Sequence, residues 1–293
     1  MGDRLNSMNE TVLNFYRQYD PYSDPTTYRT LYDGLPEDLD SLCVLIKKQL
    51  IHPSHIKRYG DRVPKGAKSE DGQFTSVRQM LPELLKRNPD GLVMERQPHE
   101  RLFVSCRNHA LLLASIMQYR RIPTRVRVGF AEYVSDKPGK WVDHWICEVW
   151  DEVQQRWLFV DPDTKRVDIP RPEFELAGNA WLKIRCEGQN DKIYGDDGFW
   201  GIAYVRQDLC HDFDACLGCV TTYWTGAPLL HVKFANLSQE QRRLLDQMAR
   251  YLQDPDAYLA EMQGLQADNP SLQGEMAASW APAAIKSRWN NFY

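Results

Sequence analysis

Three residues in the middle of the chain are of the types that a thiol-dependent enzyme uses. They are Cys106, His144 and Asp161, with a step of 38 residues from the first to the second and of 17 from the second to the third. A cysteine is an efficient nucleophile only as its thiolate, and a free thiol has a pKa of about 8.5. A helix N-terminus or an adjacent imidazolium favours the thiolate, and a third group orients the imidazole. These residues therefore predict a nucleophilic cysteine with a histidine base and an orienting acid.

Cys106 is expected in the first turn of a helix that is buried on every side. The residues from Ala110 to Met117 are apolar almost all round, whereas a surface helix shows a single apolar stripe. Arg120 and then Pro123 mark the end of this helix, because cations are favourable at a helix C-terminus and proline does not continue it. The predicted helix thus places Cys106 at its positive end.

Three strand-like segments follow the predicted helix, and they carry the two partners of the cysteine. Each is rich in β-branched or aromatic residues; they are Thr124 to Val134, Trp141 to Trp150 and Arg156 to Asp161. If the second and third segments form a hairpin, antiparallel pairing makes His144 and Asp161 neighbours in space. A helix followed by an antiparallel meander predicts an α+β fold.

The composition narrows the class of protein. The chain has 293 residues, a net charge of −4, 43% hydrophobic and 26% charged residues, which is typical of a globular protein and argues against charge-driven binding to nucleic acid. No apolar run approaches the roughly 20 residues of a membrane helix. The first residues, MGDRLNSMNE, lack the apolar core of a secretory signal, so we expect no membrane partner and a cytoplasmic location. The seven cysteines are odd in number and scattered, which indicates thiols rather than a disulfide framework.

The distribution of helix-like and strand-like segments along the chain predicts three regions of one domain. Residues 1–94 are helical and loop-rich and are expected to pack on the core, residues 95–170 form the core that carries the candidate residues, and residues 171–293 return to helix and complete the domain. In the first region we predict helices over Leu39 to Leu50 and Met80 to Lys86, and an exposed loop over the polar residues 58–76.

The last region contains two helix starts with recognisable caps. Ser238 and Gln241 form a capping box, and Asp254 caps a helix whose first residue is Pro255. From Gly264 onward the sequence predicts loose structure.

Several motifs resemble the transglutaminase-like superfamily. They are R-x-x-A-x-L after the cysteine, I-P-x-R-x-x-x-G leading into a strand, then D-H-W and W-x-x-V-D, and they lie between about residues 95 and 165. FELAGNAWLKIR and GFWGIAYVRQDLCHDF, which follow, are similar to a bacterial-type branch of that superfamily. The resemblance implies a papain-like core in which the cysteine helix packs on an antiparallel sheet. It also implies that Cys106 is the nucleophile, His144 the general base and acid, and Asp161 the orienting carboxylate.

Members of this superfamily form a thioester with an amide carbonyl and pass the acyl group to an amine or to water. By resemblance, the protein is an enzyme that cleaves an amide bond, as an amidase or peptidase, or forms one. Its partners would be a peptide or small-molecule amide and an amine acceptor, and it would need no metal or organic cofactor. Classical calcium-dependent crosslinking is not expected, because the chain is short and has no EF-hand-like ligand run. The alternative is an inactive member of the fold that serves as a binding or scaffold module.

The groups that would bind the substrate are less defined. Many superfamily members have glycine close before the cysteine, whereas this chain has Phe103, Val104 and Ser105. The backbone N–H of Cys106 is the expected first oxyanion donor, and Gln97 is the candidate for the second. Arg107 would bind a substrate carboxylate or, alternatively, be a solvated or salt-bridged residue at the start of the helix. The N-terminal region is a candidate lid.

Two further groups have alternative interpretations. Cys210, His211, Cys216 and Cys219 offer zinc ligands for an interaction protein, but they supply only one C-x-x-C pair and also suit an interrupted helix. The remaining histidines have no paired acid at a notable spacing and are predicted to be surface or capping residues; they are His52, His55, His99, His109 and His231.

Overall fold

The computed structural model describes residues 10–196 and 198–272. Its helices are α1 (Leu39–Lys47), α2 (Val77–Arg87), α3 (Cys106–Tyr119), α4 (Ala177–Glu187), α5 (Ile202–Cys216), α6 (Gln239–Tyr251) and α7 (Pro255–Asp268), and residues 10–16 are also helical. Its strands are β1 (Leu50–Ile51), β2 (Leu102–Phe103), β3 (Thr124–Ala131), β4 (Trp141–Asp151), β5 (Arg156–Asp161), β6 (Arg166–Val167), β7 (Phe174–Leu176), β8 (Tyr194–Asp196) and β9 (Phe199–Trp200). Among these residues, no helix is both long enough and apolar enough to cross a membrane.

One sheet contains most of the described strands. Its order is β6-β5-β4-β3-β7, with β8 also paired to β4 and β9 paired to β8. The pairs β4–β5, β5–β6, β3–β7 and β8–β9 are antiparallel, and β8 is parallel to β4. The strands that the sequence predicts are β3, β4 and β5, and they lie side by side in chain order. The α+β class is therefore confirmed.

The chain divides into two compact units, each built from separate stretches of sequence. The unit that contains helix α3, here called the α3 unit, comprises residues 13–126 and 146–169. The unit that contains helix α5, here called the α5 unit, comprises the described residues within 1–12, 127–145 and 170–293. Strands β3 and β4 each contribute residues to both units.

In the α3 unit, the core forms around α3. Every residue from Cys106 to Gln118 is buried, which confirms the prediction of a helix without a solvent-exposed face. Helices α1 and α2 pack against α3. Helix α1 ends at Lys47 and Leu50 lies in β1, so the predicted extension of this helix to Leu50 is wrong.

In the α5 unit, helices α4, α5 and α6 pack together around a core that includes Trp181, Phe213 and Met248. The capping box at the start of α6 and the aspartate cap at the start of α7 are present as predicted. Helix α7 continues to Asp268, so the prediction of loose structure from Gly264 is wrong for this stretch. The rest of that predicted segment, beyond residue 272, lies outside the described residues.

Gly129, the last residue of the I-P-x-R-x-x-x-G motif, is required by the close approach of two strands. It lies on β3 opposite Leu176 of β7. A Cβ atom at this position would lie 2.2 Å from the carbonyl oxygen of Glu175, well inside van der Waals contact. Any larger residue would therefore push β7 away from β3.

A buried ion pair ties β3 to α5. Asp212 of α5 accepts hydrogen bonds from Nε and Nη2 of Arg127, both at 2.9 Å, and from the backbone N–H of Val128 at 2.8 Å. Both charged side chains are almost completely buried. Since a buried charge is stable only with its partner in place, this pair constrains how the strand and the helix pack.

We predict that Asp212→Asn lowers the free energy of unfolding by about 3–5 kcal/mol, because it leaves the Arg127 guanidinium buried without its counter-charge. Urea unfolding followed by circular dichroism measures this change. The matched control is Asp168→Asn, which breaks the exposed pair between Arg156 and Asp168 and is expected to have little effect on the free energy of unfolding, because water screens an exposed ion pair. Equal effects of the two substitutions would show that the buried pair is not a special constraint.

Candidate active site

Cys106 is the first residue of α3 and is 3% exposed. Ser105, directly before it, is the N-cap and has an extended backbone. The preceding strand β2 pairs with β1, and the N–H of Val104 donates to the carbonyl oxygen of Ile51 at 3.0 Å. The chain therefore enters the helix along a fixed path, and Cys106 lies at its positive end.

Two acidic residues from the predicted loop 58–76 hold the backbone just before the cysteine. Asp71 Oδ1 accepts from the N–H of Ser105 at 2.8 Å and from its hydroxyl at 3.0 Å. Glu70 donates its N–H to the carbonyl oxygen of Phe103 at 2.7 Å and accepts from the N–H of Phe103 at 2.8 Å. Glu70 and Asp71 are only half-exposed. The prediction of a simple exposed loop is therefore wrong at these two residues.

Asp161 is the last residue of β5 and is completely buried. Its Oδ1 accepts from the backbone N–H groups of Asp163 at 2.9 Å and Thr164 at 3.1 Å. Its Oδ2 accepts from the Thr164 hydroxyl at 2.5 Å. The turn after β5 thus holds the carboxylate in one orientation, as an orienting acid requires.

His144 lies on β4 within the α5 unit and is 3% exposed. The ring of Tyr133 contacts the imidazole edge to face, with ring centroids 5.9 Å apart. The predicted hairpin of β4 and β5 is present, with Cys147 opposite Val160. Cys106 and Asp161 belong to the α3 unit. The role of His144 as their partner remains a prediction.

Asp143 is a buried acid that the sequence-based reasoning did not single out. The hydroxyl of Tyr204 donates to its Oδ2 at 3.2 Å. Burial and, second, the charge of Asp196 raise the pKa of Asp143 to about 7, whereas His144 lowers this pKa. The signal in the sequence was a charged residue at an interior position of an apolar strand. β4 therefore carries a buried acid that changes its charge near neutral pH, next to His144 in sequence.

The two weaker candidates for substrate binding have different environments. Arg107 is buried, and its guanidinium donates to Asn108 Oδ1 at 2.9 Å and to the carbonyl oxygen of Thr75 at 3.0 Å, while lying over the ring of Tyr22. The interpretation of Arg107 as a solvated surface residue is therefore wrong. Gln97 is exposed, and its backbone N–H donates to the carboxylate of Glu100.

The candidate zinc ligands follow the course of α5. Cys210, His211 and Cys216 lie in this helix, which ends at Cys216, and Cys219 lies beyond its end. His211 is buried and its Nδ1 lies 3.0 Å from the Thr221 hydroxyl oxygen. Within residues 10–196 and 198–272, no three or more His, Cys, Asp or Glu residues are grouped so that they could hold a metal ion.

The remaining five histidines differ in their exposure. His99 and His231 are exposed, His55 is half-buried, and His52 caps a 3₁₀ turn by accepting from the N–H of Ser54. His109 is completely buried, so its assignment to the surface is wrong. The signal was available in the sequence, because a helix buried on every side also buries the polar residues it contains.

No family model matches the chain, no curated protein matches it, and no solved structure matches it. The resemblance to the transglutaminase-like superfamily therefore depends on the motifs of the chain itself.

Asp214, a buried acid of α5, makes stability depend on pH. Burial raises the pKa of Asp214 to about 8, against a weaker opposite effect of the hydrogen bond from Gln266. Because the folded state holds the proton more tightly than the unfolded state, the stability that Asp214 contributes is lost as the pH rises from about 4 to about 8.

We predict that Asp214→Asn, which resembles the protonated acid, becomes more stable than the wild type by more than about 1.4 kcal/mol at pH 8, the equivalent of one pKa unit. Its advantage should shrink as the pH is lowered towards about 4. Urea unfolding at a series of pH values measures both. The exposed Asp136→Asn serves as the control, and a difference for Asp214→Asn that does not change with pH would contradict the prediction.

Proposed function

We propose that the protein is a cysteine-dependent enzyme that transfers acyl groups from amide substrates and has a transglutaminase-like, papain-like core. The observation that carries this proposal is the position of Cys106 as the first residue of the buried helix α3, directly after Ser105, whose backbone N–H is bound by Asp71 and whose carbonyl oxygen is bound by His109. The strands that follow this helix, β3, β4 and β5, carry the histidine and the aspartate in the order that the superfamily resemblance requires.

The reaction proceeds in two halves. In the first, the Cys106 thiolate attacks the amide carbonyl carbon and forms a C–S bond; the C–N bond then breaks, and the amine leaves with a proton from the His144 imidazolium. In the second, water or an amine attacks the thioester while His144 takes its proton, and the C–S bond breaks. The backbone N–H of Cys106 stabilises the oxyanion in both halves. Asp161 is assigned the orientation of the imidazole.

Three other thiols are poor competitors of Cys106. Burial raises the pKa of Cys43 and of Cys210 to about 12, and it also raises the pKa of Cys147. These three side chains remain protonated and unreactive near neutral pH, since the thiolate is the nucleophile. A cysteine that reacts quickly with an electrophile at low pH must therefore have an environment that favours its thiolate. We assign such an environment to Cys106.

Two reactions are compatible with this function, and they differ in the molecule that accepts the acyl group. Water as acceptor gives an amidase or peptidase, and an amine gives amide-bond formation. We favour hydrolysis, because water is always available as an acceptor. The substrate is a peptide or a small-molecule amide.

The test is limited labelling with iodoacetamide at about pH 6, where an ordinary thiol is almost fully protonated. The labelled cysteines are located by peptide mass in the wild type, in His144→Ala and in His99→Ala. We expect Cys106 to be labelled at least about tenfold faster than any other cysteine, and His144→Ala to slow this reaction because the imidazolium no longer favours the thiolate.

His99→Ala is the matched control, because it removes an exposed histidine of the same unit as Cys106; it should leave the labelling rate unchanged. If Cys106 reacts no faster than the exposed Cys186, the proposed enzyme function is wrong. The fold would then be used as a binding or scaffold module.

A further inference from the structure

We infer that His109 is a positioning residue that orients the oxyanion-binding N–H of Cys106. This inference depends on the proposed function. All the contacts that support it lie within the α3 unit.

His109 lies one helical turn after Cys106 and is completely buried. Its Nδ1 is 2.9 Å from the carbonyl oxygen of Ser105. A carbonyl oxygen only accepts, so Nδ1 carries the proton and donates it. The same oxygen also accepts from the backbone N–H groups of Asn108 at 3.0 Å and His109 at 3.3 Å. The Ser105 carbonyl is therefore held by three donors, one of which comes from the imidazole.

The orientation of this carbonyl determines the direction of the Cys106 N–H. The carbonyl of Ser105 and the N–H of Cys106 belong to one peptide group, which is planar, so they point in opposite directions from it. A donor that holds the carbonyl thus also aims the N–H. Because an oxyanion donor has to be placed before the charge develops, His109 acts on the transition state without touching the substrate.

The opposite edge of the imidazole faces the turn after β5. His109 Nε2 lies 3.6 Å from Asp163 Oδ1, and the same oxygen accepts from Lys47 Nζ at the end of α1. The backbone N–H of Asp163 donates to Asp161 Oδ1 at 2.9 Å. With the ring proton on Nδ1, Nε2 is an acceptor and makes no hydrogen bond to Asp163, whose carboxylate is held instead by Lys47.

The charges of this group are consistent with a neutral imidazole. Burial lowers the pKa of His109 to about 3; Asp163 acts in the opposite direction, and Lys47 lowers the pKa further. Lys47 supplies the counter-charge of Asp163. The neutral ring with its proton on Nδ1 keeps donating to Ser105 throughout the physiological pH range.

The experiment compares two reactions of Cys106 in His109 variants. Iodoacetamide forms a C–S bond by displacing iodide and develops no oxyanion. p-Nitrophenyl acetate forms a thioester through a tetrahedral oxyanion and releases p-nitrophenolate, which is measured as a burst. In His109→Asn the amide nitrogen takes the position of Nδ1, whereas in His109→Gln it takes the position of Nε2, so only the first variant keeps the donor to Ser105.

We expect His109→Gln to slow acylation by at least about tenfold, since loss of one oxyanion donor costs about 10²–10³-fold, and to change alkylation by less than about twofold. His109→Asn should recover most of the acylation rate. His99→Gln is the control. A purely structural role would slow both reactions together, and acylation unaffected by His109→Gln would overturn the inference. If Cys106 of the wild type is not selectively alkylated, the proposed function itself fails, and the inference fails with it.

A measurement on the wild type covers the case in which His109→Gln does not fold. Nitrogen-15 NMR of histidine-labelled protein distinguishes a protonated from a bare ring nitrogen. We expect His109 to stay neutral with its proton on Nδ1 from about pH 5 to pH 8, because its pKa lies far below that range. A proton on Nε2 with a bare Nδ1 would overturn the inference.

Discussion

The orientation of the peptide group between Ser105 and Cys106 is the constraint on which the proposed chemistry depends. A buried backbone group has to be hydrogen-bonded, and around Ser105 this requirement is met by residues distant in sequence and by the first turn of α3. Asp71 accepts from the N–H and the hydroxyl of Ser105, and His109 donates to its carbonyl. The start of α3 is thereby fixed independently of any substrate, which is the preorganisation that an oxyanion donor needs.

The elements of the fold could be predicted from the sequence because they follow from periodicity and caps. The apolar run after Cys106 predicted a fully buried helix, alternating and β-branched residues predicted β3, β4 and β5, and Ser238 and Asp254 predicted two helix starts. These signals are local, and local patterns determine which surface of an element is buried. The same reasoning extended α1 too far, because Leu50 continues the apolar spacing of the helix although it lies in β1.

The polar contacts around the candidate residues could not be predicted in the same way. Glu70 and Asp71 stand in a polar, glycine-containing segment, and nothing local distinguishes a carboxylate that binds a distant backbone N–H from one that faces water. His109 and Arg107 differ, since both belong to the helix predicted to be buried on every side and their burial follows from that prediction. Their neighbours, Asp163 and Thr75, depend on tertiary packing. The division of the chain into two units also depends on tertiary packing rather than on a local pattern, because each of the strands β3 and β4 contributes residues to both units.

The central claim is that Cys106 exists as a thiolate at a pH where other thiols are protonated. The most direct measurement is the absorbance of the thiolate at about 240 nm. It is compared between wild-type and Cys106→Ser protein as the pH is raised from about 4. We predict that the difference between the two proteins is already present at about pH 6 and that His144→Ala shifts its appearance to higher pH. A difference that appears only near pH 8.5 or above, as for an ordinary thiol, would contradict the claim.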